Sequence, residues 1–295
     1  MTATRPGPIV VTGATGLQGS AVTRHLLAAG WPVRALTRDA TSPRASVLST
    51  LGADVRRGDM DDPSSLRPVF AGAYGVYSLQ NPFISGPEAE VTQGRNIVDE
   101  ARRAGIQHLV YGSAGTGQAG TGIPSWETKL QVEVYLRAGR LASTILRPMA
   151  LMELMTEKKF FPPLAAWQVM PALMGGSRPV GWVGADDVGA IVARIFAAPE
   201  LYIGRDLSLA SDVQSMDQCR AIYREIFGKP PRRIPIPAWL FRRFGFAGRD
   251  LTTMWQWLRT ATIDLDTAAT RAIHPEALTV RDWLIRKKAE ERATG

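Results

Sequence analysis

The sequence predicts an α/β fold, a Rossmann-type doubly wound parallel sheet with a smaller C-terminal α+β substrate lobe. Three observations predict it. Residues 8–19 run from a short apolar strand into Gly13-x-x-Gly16-x-x-Gly19, and a helical pattern follows. Six β-like runs then alternate with helical patterns as far as Pro148, the arrangement of repeated βαβ crossovers. Beyond Pro148 the texture changes to a Met- and aromatic-rich stretch.

The elements follow in order. A helix over 20–29 is stopped by Gly30, and residues 32–37 form the next β-like run. Ser42 caps a helix over 43–51 that Gly52 ends, and 53–57 is a short strand. Asp62-Pro63 starts a helix, because Asp accepts from first-turn N–H groups and Pro suits the first helical position. Residues 74–79 are apolar and β-rich, 87–104 form a long helix ended by Gly105, and 107–111 is a strand. A helix over 125–138 and a strand over 142–146 complete the nucleotide-binding part. The expected division is 1–148 for that part, with the helix 186–198 packing back on it, and 149–185 with 199–295 for the substrate lobe. In that lobe 205–210 and 232–236 read as strands, and 215–227, 238–244 and 251–260 as helices. Residues 149–175 hold Met149, Met152, Met155, Met170 and Met174 with Phe160, Phe161 and Trp167, broken by Pro162-Pro163. Such a stretch is either plain core or the lining of an apolar cleft.

Bulk composition narrows the classes. The chain of 295 residues is 45% hydrophobic and 21% charged, a globular balance. Its net charge is +8 and its pI about 10.0. The basic excess is spread along the chain, and Arg232-Arg233, Arg242-Arg243 and Arg286-Lys287-Lys288 read as solvated faces. No nucleic-acid module is recognisable, so no nucleic-acid partner is expected. No apolar run reaches membrane-spanning length and no signal peptide is recognisable. A cytoplasmic protein without a membrane partner is the expectation. The lone Cys219 cannot form an internal disulfide and reads as buried packing. His25, His108 and His274 lack ligand spacing, and no metal site is expected.

The glycine triad is the chief functional signal. The first glycine permits a sharp turn, the second lets backbone N–H groups approach a pyrophosphate, and the third lets helix and strand pack closely. The second β-like run ends Leu36-Thr37-Arg38-Asp39. An acidic residue at the strand end bonds the ribose 2′-OH of NAD, whereas a guanidinium takes a 2′-phosphate. Arg38 therefore favours NADP(H), and Asp39 weighs against it. Asp59 and Met60 follow the third strand, where a carboxylate and a flat contact suit the adenine; Asp59 as a turn former is the alternative. Leu79, Gln80 and Asn81 end the fourth strand beside the expected path of the ribose and pyrophosphate.

Gly-Ala-Thr-Gly-Leu-Gln-Gly-Ser (13–20), Leu-Thr-Arg (36–38) and Gly-Asp-Met-Asp-Asp (58–62) resemble the NmrA-like family of atypical short-chain dehydrogenase/reductases. Further matches are Gln93-Gly94, Val110-Tyr111-Gly112-Ser113, Lys129 with the segment 132–136, and Arg147-Pro148 leading to Met152-Glu153. The resemblance covers 8–155 well and is looser from 180 to 290. It implies NADP(H) binding by Gly13, Thr15, Gly16, Leu17, Gln18, Gly19, Arg38, Asp59, Met60, Leu79, Gln80, Asn81, Lys129 and the segment Pro148, Met149, Ala150, Leu151 and Met152. It does not imply one function. Some members reduce quinones, dyes or aromatic metabolites, and others are redox-sensing regulators.

Ordinary short-chain enzymes use Tyr-x-x-x-Lys, in which the Lys lowers the Tyr pKa and the phenol moves the proton. Here Ser125 stands four residues before Lys129. Two candidate catalytic residues remain. Lys129 is suited to ribose hydroxyls or to proton donation, and Ser113 to a substrate oxygen. A conjugated acceptor relaxes the need for an acid, because hydride addition gives a delocalised anion that solvent protonates. The expected function is an NADPH-dependent reductase of a small apolar or aromatic acceptor such as a quinone or enone. The alternatives are a non-catalytic NADP sensor and a biosynthetic enzyme with an atypical or redox-neutral step. A homodimer or a regulatory protein partner is left open.

Overall fold

The computed structural model describes residues 6–157, 165–232 and 236–294. In chain order the elements are β1 (Ile9–Val11), α1 (Leu17–Ala28), β2 (Val33–Thr37), α2 (Pro43–Thr50), β3 (Asp54–Arg57), α3 (Pro63–Phe70), β4 (Gly75–Ser78), α4 (Pro82–Ser85), α5 (Pro87–Arg103), β5 (His108–Gly112), α6 (Pro124–Ala138) and β6 (Ser143–Pro148). There follow β7 (Ala150–Leu151), α7 (Met170–Met174), β8 (Pro179–Val183), α8 (Ala185–Ala197), α9 (Pro199–Tyr202), β9 (Asp206–Leu209) and β10 (Asp212–Ser215). The chain ends with α10 (Met216–Phe227), α11 (Ala238–Phe241), α12 (Gly245–Leu258), α13 (Ala268–Ile273) and α14 (Val280–Thr294).

Two compact units result. The first is Met1–Ala119 with Ser125–Arg147 and Val188–Leu207; the second is Gly120–Pro124 with Pro148–Asp187 and Ser208–Gly295. The central sheet has seven strands in the order β3-β2-β1-β4-β5-β6-β9, and its pairs are parallel. The chain reverses its direction of travel between β1 and β4, the switch point beside which such sheets bind ligands.

Side-chain alternation sorts the two faces of the first unit. Val10, Val76, Leu109 and Tyr111 join Leu66, Phe70, Ile97 and Val132 of the helices α3, α5 and α6 in one buried cluster. Adjacent strand positions point the other way, as a period of two requires. There Phe196 of α8 approaches Gly75 so closely that a Cβ would lie 2.6 Å from its ring. Phe196 also packs edge-on against Trp31 and His108. Gly189 brings α8 against α1, since a Cβ there would lie 2.7 Å from the carbonyl carbon of Ala21.

The expected caps take their places: Ser42 Oγ accepts from Ala45 N, and Asp62 Oδ1 accepts from Ser64 N. One expectation is corrected and one open alternative is resolved. The run at 205–210, expected in the smaller lobe, supplies β9, the seventh strand of the central sheet. It covers the free edge of β6, with Ile145 N donating to Arg205 O and Met149 N to Leu209 O. The second concerns the stretch 149–175, left open between core and cleft: four of its methionines, Met152, Met155, Met170 and Met174, take the core alternative, buried with Trp167, Trp182 and Trp283 in one cluster of the second unit. Pro162-Pro163, Phe160, Phe161 and residues 233–235 of the expected strand at 232–236 lie outside the described residues. The second unit's own sheet is β10-β8-β7, antiparallel between β10 and β8 and parallel between β8 and β7.

Gly19 is the tightest point of the first βα unit. A Cβ there would stand 2.2 Å from Gly13 O and 2.9 Å from Ala14 Cα, both backbone atoms that cannot step aside. Gly19→Ala should therefore cost about 1–3 kcal/mol, as overpacking does. Urea unfolding measures it, and a midpoint equal to that of the parent chain would show that the turn yields.

Candidate dinucleotide and active site

The turn after β1 divides its work among three glycines. Gly13 has φ +59, a left-handed conformation that glycine adopts without Cβ strain. Gly16 donates to Gly13 O at 2.9 Å, and a Cβ on it would crowd that oxygen at 3.1 Å. Gly19 permits the close packing described above. Thr15, Leu17 and Gln18 are half-buried around the turn, and Gln18 Oε1 accepts from the Tyr77 hydroxyl at 3.3 Å. The α1 N-terminus has no side-chain cap and no acidic residue in its first turn. Its N–H groups and dipole suit an anion. Thr12 reinforces the turn from below: its hydroxyl donates to Leu79 O and accepts from Leu79 N. Thr12 thus couples the carboxyl ends of β1 and β4, a role sequence pattern did not indicate.

Past β2, the two residues of opposite charge separate in role. Asp39 Oδ1 accepts from Thr41 N at 2.9 Å and Thr41 Oγ1 at 2.6 Å. The Thr41 hydroxyl, and then its N–H, hold the carboxyl below the usual Asp range. Arg38 is exposed and forms no ion pair among the described residues. Arg57, at the end of β3, lowers Asp39 further by its charge and is a second exposed cation on this edge. Asp59 and Met60 follow β3. Asp59 Oδ1 accepts from Asp61 N, and the Met60 carbonyl accepts from Asn96 Nδ2 at 2.8 Å.

At the end of β4 the expected residues divide. Gln80 is buried; its Nε2 donates to Ser78 Oγ and reaches Met60 Sδ at 3.7 Å, while its Oε1 has no partner. Asn81 instead spends its Oδ1 on Phe83 N, capping α4.

Lys129 lies inside the molecule, 4% exposed. Its Nζ donates to Gln80 O at 2.8 Å and Gly112 O at 3.1 Å. It stands 2.9 Å from Oε1 of the fully buried Glu90, whose other oxygen accepts from Thr128 Oγ1. Two carbonyls accept from the ammonium and the Glu90 carboxylate answers its charge, so Lys129 is engaged within the protein. Ser113 is committed likewise. Its hydroxyl donates to Glu133 Oε1 at 2.6 Å, and Glu133 is gripped by Arg147 through both oxygens. Arg147 also meets Asp206 at 2.9 Å, which Arg137 approaches at 2.7 Å. Tyr111, between the two clusters in sequence, has a hydroxyl without a partner. Burial pushes its pKa well up, helped by the charges of Glu90 and Glu133. Glu90 and Glu133 escaped sequence reasoning because their partners lie 39 and 14 residues away.

Pro148, Met149, Ala150, Leu151 and Met152 belong to the second unit. Ala150 and Leu151 form β7, and Met152 is wholly buried. Met149 is half-buried and packs where Gly181 leaves room; a Cβ on Gly181 would lie 2.3 Å from its sulfur. Next to them Glu153 Oε1 accepts from Ala185 N at 3.0 Å, while Oε2 has no partner. Burial pushes this carboxyl up to about 7.

Two outcomes are expected. Lys129→Ala strands the Glu90 charge in the interior and should cost about 3–5 kcal/mol; adding Glu90→Gln should restore part of it. Equal urea midpoints for Lys129→Ala and the parent would place Lys129 in solvent. For Glu153 the folded pKa is raised, so the unfolded chain ionises first as pH rises. Stability should then fall between about pH 4.5 and 7, by on the order of 3 kcal/mol. Glu153→Gln should raise the melting temperature more at pH 8 than at pH 5, and a pH-independent effect would sink this assignment.

The comparisons with known proteins agree with this construction. The NmrA-like family model matches residues 6–284. The NmrA-like family domain-containing oxidoreductase hkm9 of Aspergillus hancockii is 31% identical over 260 residues, 80% of this chain and 78% of its own. Among solved structures, the Citrobacter sp. triphenylmethane reductase complexed with NADP(H) matches with a TM-score of 0.77 at 22% identity, covering 95% of this chain and 99% of that one. NmrA, a negative transcriptional regulator, matches with a TM-score of 0.80 at 21% identity over 99% of this chain and 98% of that one. By its glycine turn, its sheet order and a match along nearly its whole length, the chain belongs to the NmrA-like family.

Proposed function

We propose that this chain is an NADP(H)-dependent oxidoreductase that reduces an apolar or aromatic conjugated acceptor such as a quinone or an enone. The observation that carries the reading is the pairing of an open α1 N-terminus with a free Arg38 whose acidic neighbour is tied to its own loop. The fit is specific in three respects. Gly13, Gly16 and Gly19 leave a turn that side chains would fill. The first turn of α1 is uncapped and without acid, as a pyrophosphate requires. Gln80 Oε1 is a buried acceptor awaiting a donor.

In this reading the glycine turn, with Thr15, Leu17 and Gln18, holds the pyrophosphate. Arg38 takes the 2′-phosphate, with Arg57 adding positive potential. Asp59 and Met60 receive the adenine, and Leu79 and Gln80 flank the ribose. Bound NADPH supplies the hydride. Lys129 acts at one remove, since it fixes the Gln80 and Gly112 carbonyls and thereby the shape of the sheet edge. Ser113 Oγ directs its proton to Glu133, so it accepts from a substrate hydroxyl or water more readily than it donates. No side chain here is placed as an acid: Tyr111 holds its proton and Lys129 is paired. The acceptor must therefore tolerate negative charge until water protonates it, which conjugated carbonyls do and simple ketones do not. The named oxidoreductase relatives support this class.

The commitment of both Lys129 and Ser113 to buried structural pairs also supports a second reading, a non-catalytic NADP sensor. NmrA, the transcriptional regulator of similar fold, is solved with NADP and with NAD.

Arg38→Ala should weaken NADPH binding by about 1.5–3 kcal/mol, the range for hydrogen bonds to charged groups, and NADH binding far less. Equal losses by calorimetry would remove Arg38 from the 2′-phosphate. NADPH oxidation should appear with quinones or enones and not with unconjugated ketones. Tight NADPH binding without oxidation by any conjugated acceptor would establish the sensor reading.

A further inference from the structure

We propose that the second unit carries a docking surface for a membrane leaflet rich in anionic lipid, formed by Trp239, Leu240, Arg242, Arg243, Phe244 and Arg249. Charge is the first argument. Between Glu225 and Asp250 the sequence holds Lys229, Arg232, Arg233, Arg242, Arg243 and Arg249 and no acidic residue, in a chain whose whole net charge is +8. Basic residues occur along the whole chain, but in this stretch no acidic residue offsets the six cations. Arg242, Arg243 and Arg249 are exposed and form no ion pair among the described residues, unlike Arg281 and Arg286, which neutralise Glu225 and Asp186.

The apolar side chains are the second argument. Trp239 is 64%, Phe244 58% and Leu240 39% exposed, on α11 and the turn that leads to α12. They are not loose. Phe241 between them is buried and stacks on Trp255, with ring centroids 5.7 Å apart, and Phe244 leans on Phe241 at 6.1 Å. Arg243 lies over the Trp239 ring at 5.7 Å. A rigid base therefore presents an indole, a phenyl and a leucine among unpaired guanidiniums.

That combination matches a lipid surface better than the other polyanions. Trp and Phe partition to the boundary between headgroups and acyl chains, and arginines alongside bind lipid phosphates. A nucleic acid uses flat rings for stacking but has no use for an exposed leucine beside them. No helix among the described residues is long and apolar enough to cross a membrane, so the contact is one of surface, not of span. Arg242-Arg243, read from the sequence as a solvated face, are the exposed cations of this proposed surface.

Flotation of the full chain with vesicles tests the proposal. Binding is expected to phosphatidylcholine vesicles containing phosphatidylserine and not to phosphatidylcholine alone. Raising the salt from about 50 mM to about 500 mM should weaken it, as screening demands. Arg242→Glu with Arg243→Glu, and separately Trp239→Ala with Phe244→Ala, should each reduce the bound fraction by about tenfold. The charge-reversal pair is exposed and serves where the aromatic pair disturbs folding; unchanged melting and NADPH affinity verify both. The proposal is overturned if the parent chain ignores phosphatidylserine vesicles, if both variants bind as well as the parent, or if the parent binds single-stranded RNA in preference to either vesicle.

Discussion

Helix α6 turns Lys129 and Glu133 into the protein interior, and much of the first unit depends on those two charges being answered there. Four residues apart, they share one helix face. Lys129 meets Glu90 of α5 and the carbonyls that follow β4 and end β5. Glu133 meets Ser113 beyond β5 and Arg147 on β6, and Arg147 continues to Asp206 on β9. One helix thereby stitches four neighbouring strands. Burial of such pairs is costly, and a hydrophobic replacement is often as stable. What the charges supply is position: an ion pair with fixed hydrogen bonds admits one register between helix and strands, where an apolar contact admits several.

The same stitching limits the chemistry. A short-chain enzyme with a tyrosine needs an ammonium free to depress the phenol's pKa. Here the ammonium is paired with Glu90, and the phenol beside it, Tyr111, has its pKa raised by burial first and by the charges of Glu90 and Glu133 second. These pairings are what the proposed function rests on in turning from a protein acid to a solvent-protonated acceptor. In the proposed reading the cofactor meets groups that have no partner among the described residues: the uncapped turn of α1, Arg38, and the Oε1 of Gln80.

Local features of the fold were legible in the sequence because they rest on local physics. Ser42 and Asp62 announce helix starts by capping, and the roles of Gly13 and Gly19 follow from a dihedral angle and a contact within the same turn. Features set by distant partners were not. Asn81 looks like a cofactor ligand until α4 needs a cap. The five methionines are compatible with core or cleft until Trp167, Trp182 and Trp283 close around four of them. The run at 205–210 has strand character, but only the open edge of β6 and the pairing of Asp206 with Arg147 assign it to the central sheet. Glu90 reads as a surface residue of a charged helix, since its partner is Lys129 and nothing near it in sequence says so.

Position 125 shows how far such a site departs from its familiar relatives. Restoring the motif on paper takes a single change, serine to tyrosine. Ser125 is buried, and its neighbour Trp126 already presses on Gly115, where a Cβ would stand 2.6 Å from the indole. A phenol inserted there needs space that this packing does not leave, and overpacking of that kind displaces its surroundings. Even if accommodated, it would face an ammonium whose charge is spent on Glu90. The motif works as a pair tuned together, and in this chain Lys129 holds the sheet edge through Gln80 O and Gly112 O. Under the proposed function, Ser125 and the burial of Glu90 beside Lys129 go together, because a site whose ammonium is paired leaves the proton to solvent.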